Sequence, residues 1–478
     1  MKHTDHSRLL AELAQDYQRH SPRSAALQRR ALQVLVDGGS HTLRLIEPFP
    51  PRIAAARGSR IEDADGHSIL DFWQGHYANI LGHNPPEVTG KLAELFASGG
   101  GLQNGFTGQL QIEVAEILCR ATGLDTVRFT TSGSLATMYA VLLARAFTAR
   151  KLVMKVGGGW HGGQPWGLVG VEYRNDLPGG EAADETAHFR HVDSNGLPSS
   201  LYHEVLVTRF NDVQMLRDHF RRYGDRLACF IVEPFIGAGG AIPAASEYLR
   251  EARALTEKHG ALLVCDEVIA GYRFHAGLAS RLYGVLPDLV TLAKVIGGGM
   301  PVAAVAGRKR VMKMAARTGS VRFSGGTYSG HPACLAAARA MLEHLEENAG
   351  SIYPALSSLG DKARRVIAEA FASEGIYAHV TGTGNEALPG SSVMTVVFPY
   401  ERDRPCASPE ETRNPHFCDV VLSDRVLQLA LLLEDVHVVH GLGALATTHT
   451  DGDLAELGGA IARAARRIKR HGGGQGAL

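Results

Sequence analysis

Four apolar runs of strand length punctuate the middle of the chain: KLVMKV (151–156), LACFIVE (227–233), ALLVCDEV (261–268) and LVTLAK (289–294). VRFTTSG (127–133) reads as a fifth strand running into a glycine turn. Between such runs the period changes. In SLATMYAVLLARAFT (134–148), Leu135, Met138, Leu142, Leu143 and Ala146 recur near every 3.6 residues, which predicts a helix. Another helix is predicted over 246–259, closed by Gly260. Continuous apolar strands alternating with helices predict an α/β fold with a large, mainly parallel sheet flanked by helices.

The flanks read differently. Residues 7–36 look helical in two pieces divided at Ser21-Pro22, where serine caps and proline fits a first turn; Gly38-Gly39 ends the second piece. SHTLRLIEPFPP (40–51) is extended, and RIEDADGHSILDF (60–72) predicts a hairpin about Asp65-Gly66. A helix over 332–347 leads to mixed strands, a proline- and charge-rich loop or insertion at 399–415, and a last helix over 451–470. The tail HGGGQGAL is expected to be disordered. The expected division is an N-terminal part (1–76) joining a small α+β domain, a large domain (77–335), and a C-terminal small domain (336–478) with an insertion near 384–415.

Composition narrows the function classes. Lys and Arg total 49, as do Asp and Glu, so no basic excess exists to neutralise a phosphate backbone, and nucleic acid is not an expected partner. No apolar run reaches the roughly 18 residues of a spanning helix, and MKHTDHSRLLAELAQDY is no secretory leader, so no membrane partner is expected. Six scattered cysteines without a CxxC pair read as free thiols in a reducing, cytoplasmic setting. No HExxH or GxSxG occurs, and no metal site is expected. GTGNEA (382–387) fits GxGxxA but is followed by LPGSS rather than a helix, so a dinucleotide site is not supported.

Ligands of open α/β sheets gather at the carboxyl ends of strands. There stand Ser132-Gly133-Ser134, Glu233, Asp266 and Lys294. Gly133-Ser134 opens a helix whose free N–H groups suit a phosphate, although a plain capped turn has the same sequence. Asp266 suits a pyridinium N–H, or an ordinary cap or ion pair. Lys294 suits a nucleophilic amine of lowered pKa, or a lysine snorkelling from a strand end. The glycines after it leave room for a bulky ligand. Trp160-His161, in GGGWHGG, suits a loop whose aromatic stacks on a flat ring, or simple packing. GGTYSGHP (325–332) is a second glycine-rich turn before a helix.

In order, these pieces resemble class III, fold-type I pyridoxal-phosphate (PLP) aminotransferases, and most of all the glutamate-1-semialdehyde aminomutase-like subgroup. TTSGSLATM, GGGWHGG, IVEPFIGAGGAIP, VCDEVIAGYRF, TLAKVIGGGMPVAAVAGR and SGGTYSGHPACLAA carry the likeness over about residues 35–345, with ATTHTDGDL (446–454) a fainter match. The resemblance implies a Schiff base on Lys294, which is also the proton shuttle, and Asp266 on the pyridine nitrogen. It implies Val268 and Trp160 on the two ring faces, Gly133 and Ser134 on the phosphate, and His161 and Glu233 lining the pocket. Thr327 would reach the phosphate of a neighbouring subunit, which implies a homodimer with shared sites. Arg44 resembles the arginine that takes a substrate carboxylate in the aminomutase subgroup; a surface ion pair is the other reading. Leu135 stands where the family has glutamate, and Ile236 and Ala238 stand where it has a polar partner for the ring hydroxyl.

The expected function is therefore a PLP-dependent aminotransferase acting on small amino and keto substrates. An aminomutase or racemase would use the same residues. A non-catalytic PLP-binding protein is the remaining reading, to which Leu135, Ile236 and Ala238 lend weight.

Overall fold

The structure is a computed structural model describing residues 4–174, 189–441 and 443–471. Residues 472–478, where most of the tail predicted to be disordered falls, lie outside the described residues. The apolar runs form one seven-stranded sheet. Its strands are β1 (Thr126–Thr130), β2 (Leu152–Val156), β3 (Val205–Thr208), β4 (Leu227–Val232), β5 (Leu262–Asp266), β6 (Leu289–Leu292) and β7 (Ala303–Gly307). The spatial order is β1-β7-β6-β5-β4-β2-β3. Only β7 runs against its neighbours; the other pairs are parallel.

Side-chain alternation explains why both faces are covered. Cys229, Ile231 and Val264 point to the face carrying the helix Gly133–Thr148, where Ala136, Ala140 and Leu143 pack. Phe230, Val232, Leu263 and Cys265 point the other way, toward Tyr248 and Leu249 of the helix Ser246–His259. That helix ends as expected, on Gly260 at φ 64°.

A four-stranded sheet lies apart, ordered Ile53–Arg57, Arg60–Asp63, Ser68–Asp71 and Val436–His437. The predicted hairpin supplies its centre, and the fourth strand joins in parallel from the far end of the chain. Leu9, Leu13, Tyr17 and Leu70 share one apolar cluster with Ile367, Phe371, Val436, Leu457 and Ile461. The last helix spans Asp451–Arg470 and opens with a Thr450–Asp453 capping box.

Three expectations change. The second N-terminal helix stops at Ala31, and Val34 and Val36 beyond it are 81% and 83% exposed; β-branched residues without a buried face have little reason to stay helical. A long helix, Ala349–Ser373, was not read from the sequence because Pro354 and Gly360 interrupt its pattern. Gly360 has a packing reason: a Cβ there would lie 2.2 Å from the Ser391 carbonyl oxygen. Finally, 399–415 is a loop for most of its length but holds one helical turn, Pro409–Thr412, whose Pro409, Glu410 and Thr412 are buried. No helix among the described residues is long and apolar enough to cross a membrane.

Candidate active site

The carboxyl ends of β1, β5 and β6 open on a cleft of ≈ 230 Å³. Gly133 and Ser134 line it from the first turn of a helix, Trp160 and His161 from the loop after β2, Asp266 and Val268 from the end of β5, and Lys294 from just past β6. Each arrives there for a local reason. Ser132 caps the helix, its Oγ accepting from the Leu135 N–H at 3.3 Å. A Cβ at Gly133 would lie 3.1 Å from Val268 Cγ1, so the bare backbone is what lets the helix start meet the end of β5.

Asp266 is the last residue of an otherwise apolar buried strand, and it is 3% exposed. Parallel register sets it opposite Thr291 of β6. Its Oδ1 accepts from Thr291 Oγ1 at 2.8 Å and from the Val268 N–H at 3.1 Å. Its Oδ2 lies 2.8 Å from His161 Nδ1. Burial lowers the basicity of His161, while Asp266 partly offsets that loss. His161 Nε2 is buried and has no hydrogen-bond partner; it lies on the side of Gly159, where a Cβ would come within 3.2 Å of it.

Lys294 begins a tight turn with φ 52°, a left-handed conformation uncommon for a residue with a side chain. Burial lowers its pKa, and the nearby carboxylates of Asp266 and Glu233 resist that shift. One of the three glycines after it has a packing reason: a Cβ at Gly298 would lie 2.8 Å from the Ala337 carbonyl oxygen of the helix Pro332–Glu347, whereas a Cβ at Gly299 would meet nothing within 4 Å. Glu233 does not line the cleft but stands behind the Trp160 loop. Its Oε1 accepts from the Trp160 N–H at 3.3 Å and its Oε2 from the Gly237 N–H at 3.1 Å. Burial and the adjacent Asp266 raise its pKa, while the Gly237 and Trp160 N–H groups and Lys294 oppose that rise.

The glycines around Trp160 have physical causes. A Cβ at Gly162, where φ is 94°, would lie 2.5 Å from Ser134 Oγ, and one at Gly158 would lie 2.5 Å from Pro409 Cβ. Lys155 was not singled out from the sequence. It is fully buried in β2, and its Nζ donates to the carbonyls of Val169 (2.7 Å), Gly159 (3.0 Å) and Gly167 (3.3 Å). Burial brings its pKa to about 8. A lysine within the apolar run KLVMKV was the signal available.

Besides Glu233, two predicted residues lie outside the cleft. Thr327 is exposed on the glycine-rich turn, and a Cβ on its neighbour Gly326 would lie 3.8 Å from Thr131 Oγ1 at the cleft wall. Arg44 is also exposed, and its Nε donates to His76 Nε2 at 3.4 Å. His76 packs on Trp73, with ring centroids 4.2 Å apart. Burial lowers its pKa to about 3, helped by the positive fields of His41, Arg44 and Lys294. His76 thus touches Arg44 and lies within electrostatic reach of Lys294. Arg413, from the stretch read as a loop, was also missed. It pairs with Asp424 at 2.8 and 3.0 Å and donates to the Ala238 carbonyl at 3.4 Å. The Ile236 and Ala238 positions offer no polar side chain: Ile236 is buried in the short pair Phe235–Ile236 with Ile242–Pro243, and Ala238 is exposed.

Comparison with known proteins agrees with this geometry. The family described as aminotransferase class-III matches residues 46–384. A glutamate-1-semialdehyde 2,1-aminomutase of Methanosarcina acetivorans is 34% identical over 361 residues, covering 75% of this chain and 81% of that protein. An omega-transaminase from Sphaerobacter thermophilus superposes with a TM-score of 0.82 at 28% identity, covering 93% of this chain and 98% of the other. A β-phenylalanine aminotransferase from Variovorax paradoxus does so with a TM-score of 0.79 at 28% identity, covering 98% of each.

Proposed function

The chain belongs to the class-III aminotransferases, fold-type I enzymes that depend on PLP, and we propose that it moves an amino group from an amino acid or amine donor to a carbonyl acceptor. The observation that carries this reading is the seating of Asp266 and Lys294 at the ends of adjacent parallel strands, with His161 fixed on Asp266 at 2.8 Å. The residues present fit the cofactor. Backbone at the helix start of Gly133 and Ser134, the Asp266 carboxylate and the Lys294 amine line one cleft, a set of groups that suits the phosphate, ring nitrogen and aldehyde of a phosphorylated pyridine.

When bound, PLP supplies an electron sink for negative charge developing on the substrate carbon next to the amine. Lys294 would hold the cofactor, and its Nζ would take up and return the proton of that carbon, a task suited to a lysine of lowered pKa. Asp266 would hold a proton on the ring nitrogen, and His161 would keep that carboxylate in place. Gly133 and Ser134 would bind the phosphate; Val268 and Trp160 would pack on the ring faces. Trp160 is 37% exposed, which suits a face that closes on a ligand. Glu233, bonded to the Trp160 N–H, would position that loop, and Arg44 would take a substrate carboxylate at the mouth.

A homodimer is part of the proposal. Leu102, Phe106, Ile112 and Tyr328 are 73%, 78%, 61% and 57% exposed. They are neighbours: the Ala333 N–H donates to the Gly101 carbonyl at 3.4 Å, and a Cβ at Gly330 would lie 2.8 Å from Gln111 Nε2. An apolar patch beside exposed Thr327 supports a second copy docking there and receiving that hydroxyl at its phosphate. All six cysteines are unpaired, which suits a cytoplasmic protein.

The second reading, an amino shift within one molecule, is favoured by the 34%-identical aminomutase relative. Product stoichiometry separates the two. Under transfer, donor alone yields keto product equal to the enzyme sites, and catalytic turnover starts only when a carbonyl acceptor is added. Catalytic isomerised product with no acceptor and no keto product would reject transfer in favour of the shift.

A further inference from the structure

Ligand spacing along the sequence predicts no metal site, yet folding brings His20, His67 and Asp435 together. One ligand atom of each lies within 4.8 Å of the other two. His20 ends the first helix, His67 lies in the turn of the hairpin, and Asp435 precedes the strand Val436–His437 that pairs with that hairpin.

The outer nitrogens of both histidines are already engaged. His67 Nδ1 lies 3.0 Å from Asp63 Oδ2, and His20 Nδ1 lies 2.9 Å from Ser21 Oγ. Each ring thus keeps its Nε2 free, and that of His20 faces Asp435, the arrangement in which an outer partner orients a metal-binding imidazole. His20 Nε2 and Asp435 Oδ1 are 3.6 Å apart, too long for a hydrogen bond. Ligands of a tetrahedral ion with bonds near 2.0 Å are spaced by roughly 3.3 Å, so three atoms within 4.8 Å of one another would draw together on binding. Asp435 Oδ1 is itself buried and has no hydrogen-bond partner. Asp435 adopts φ 55°, a left-handed conformation that aspartate tolerates. The two imidazoles stack with centroids 4.0 Å apart and planes 24° from parallel, so binding one ion would require the rings to rotate until both lone pairs converge on it. Burial and the neighbouring His67 make His20 less basic than usual, which favours the neutral, metal-binding form. The side chains of His20 and Asp435 are 21% and 41% exposed, so an ion has a route in.

We propose that His20, His67 and Asp435 bind one divalent transition-metal ion of the zinc class, pinning the N-terminal helix and the C-terminal strand to the hairpin between them. Two imidazoles and a carboxylate suit zinc or cobalt, whereas calcium and magnesium take oxygen ligands. The site lies outside the PLP cleft and does not depend on the proposed reaction.

The test uses chelator-treated holoenzyme titrated with Zn²⁺ or Co²⁺ by equilibrium dialysis. One equivalent per chain should bind, the thermal midpoint should rise, and Co²⁺ should show the visible absorption of a four-coordinate site. His67→Gln and Asp435→Asn should each weaken binding about tenfold or more and abolish the midpoint shift. Cofactor content and turnover should stay at wild-type levels, which also reports that the variants fold. Absence of stoichiometric binding by the wild type would overturn the proposal. So would unchanged binding in His67→Gln, His20→Gln and Asp435→Asn alike.

Discussion

The floor and the mouth of the cleft are built from different kinds of sequence. At the floor, Asp266 and Lys294 end consecutive strands, and the register Asp266 with Thr291 fixes their spacing. At the proposed mouth, Arg44 and His76 come from segments with no repeating pattern and are joined by the single contact Arg44–His76; Arg413, from an equally irregular stretch, is held by Asp424 and the Ala238 carbonyl. A strand end is held by a whole sheet; these residues are held by one or two partners. Changes at the floor should therefore remove the chemistry, and changes at the mouth should alter which substrate is accepted.

The largest effect is expected at the floor. Lys294→Ala should lower turnover by about 10³-fold or more, since the proposed nucleophile and proton carrier would be lost together. Turnover with any productive donor–acceptor pair measures it, and near-normal rates would break the contrast. Asp266→Asn keeps the shape but removes the charge facing the ring nitrogen. It should weaken cofactor retention and turnover by about 3 kcal/mol or more, as loss of one partner of a buried pair does. Dialysis against cofactor-free buffer reads the first part.

At the mouth, Arg44→Ala should raise KM for carboxylate-bearing substrates about tenfold to a hundredfold, the worth of a hydrogen bond to a charged group, with kcat little changed. A donor without a carboxylate should show no such rise. An equal fall in kcat for both donors would place Arg44 with the floor instead.

Asp424 sharpens the contrast through pH. Burial pushes its carboxyl up, but Arg413 and His440 bring it down to about 2, below the ordinary 3.8. Its share of stability is thus present above the ordinary value and lost as pH falls toward 2. The melting-point gap between wild type and Asp424→Asn should shrink over that range; a constant gap would disconnect Arg413 from the acid. Trp160→Phe should have the smallest effect, about 1 kcal/mol or less in substrate or cofactor binding, because phenylalanine keeps the stacking face.

The same division governs what could be read in advance. Continuous apolar strands and glycine- or proline-marked helix ends located most of the large sheet and the floor residues standing on it. β7 escaped because its AAVAG core is mostly alanine and glycine, which carry little strand signal. Lys155 escaped because a single lysine in an apolar run has no partner nearby in sequence; its three carbonyl partners lie on the following loop. Arg413 lies in a charged, proline-rich stretch whose buried turn at Pro409–Thr412 depends on tertiary contacts with Gly158 and Gly239. Thr327 and Arg44 were singled out by family resemblance, and their places outside the cleft suit partners that arrive from elsewhere: a second subunit for one, a substrate for the other.

Borohydride reduction of the yellow holoenzyme, followed by peptide mapping, tests the central claim most directly. The expected result is one phosphopyridoxyl label per chain, on the peptide containing Lys294. Its appearance on Lys155 or another lysine, with Lys294 unlabelled, would contradict the assignment of the site.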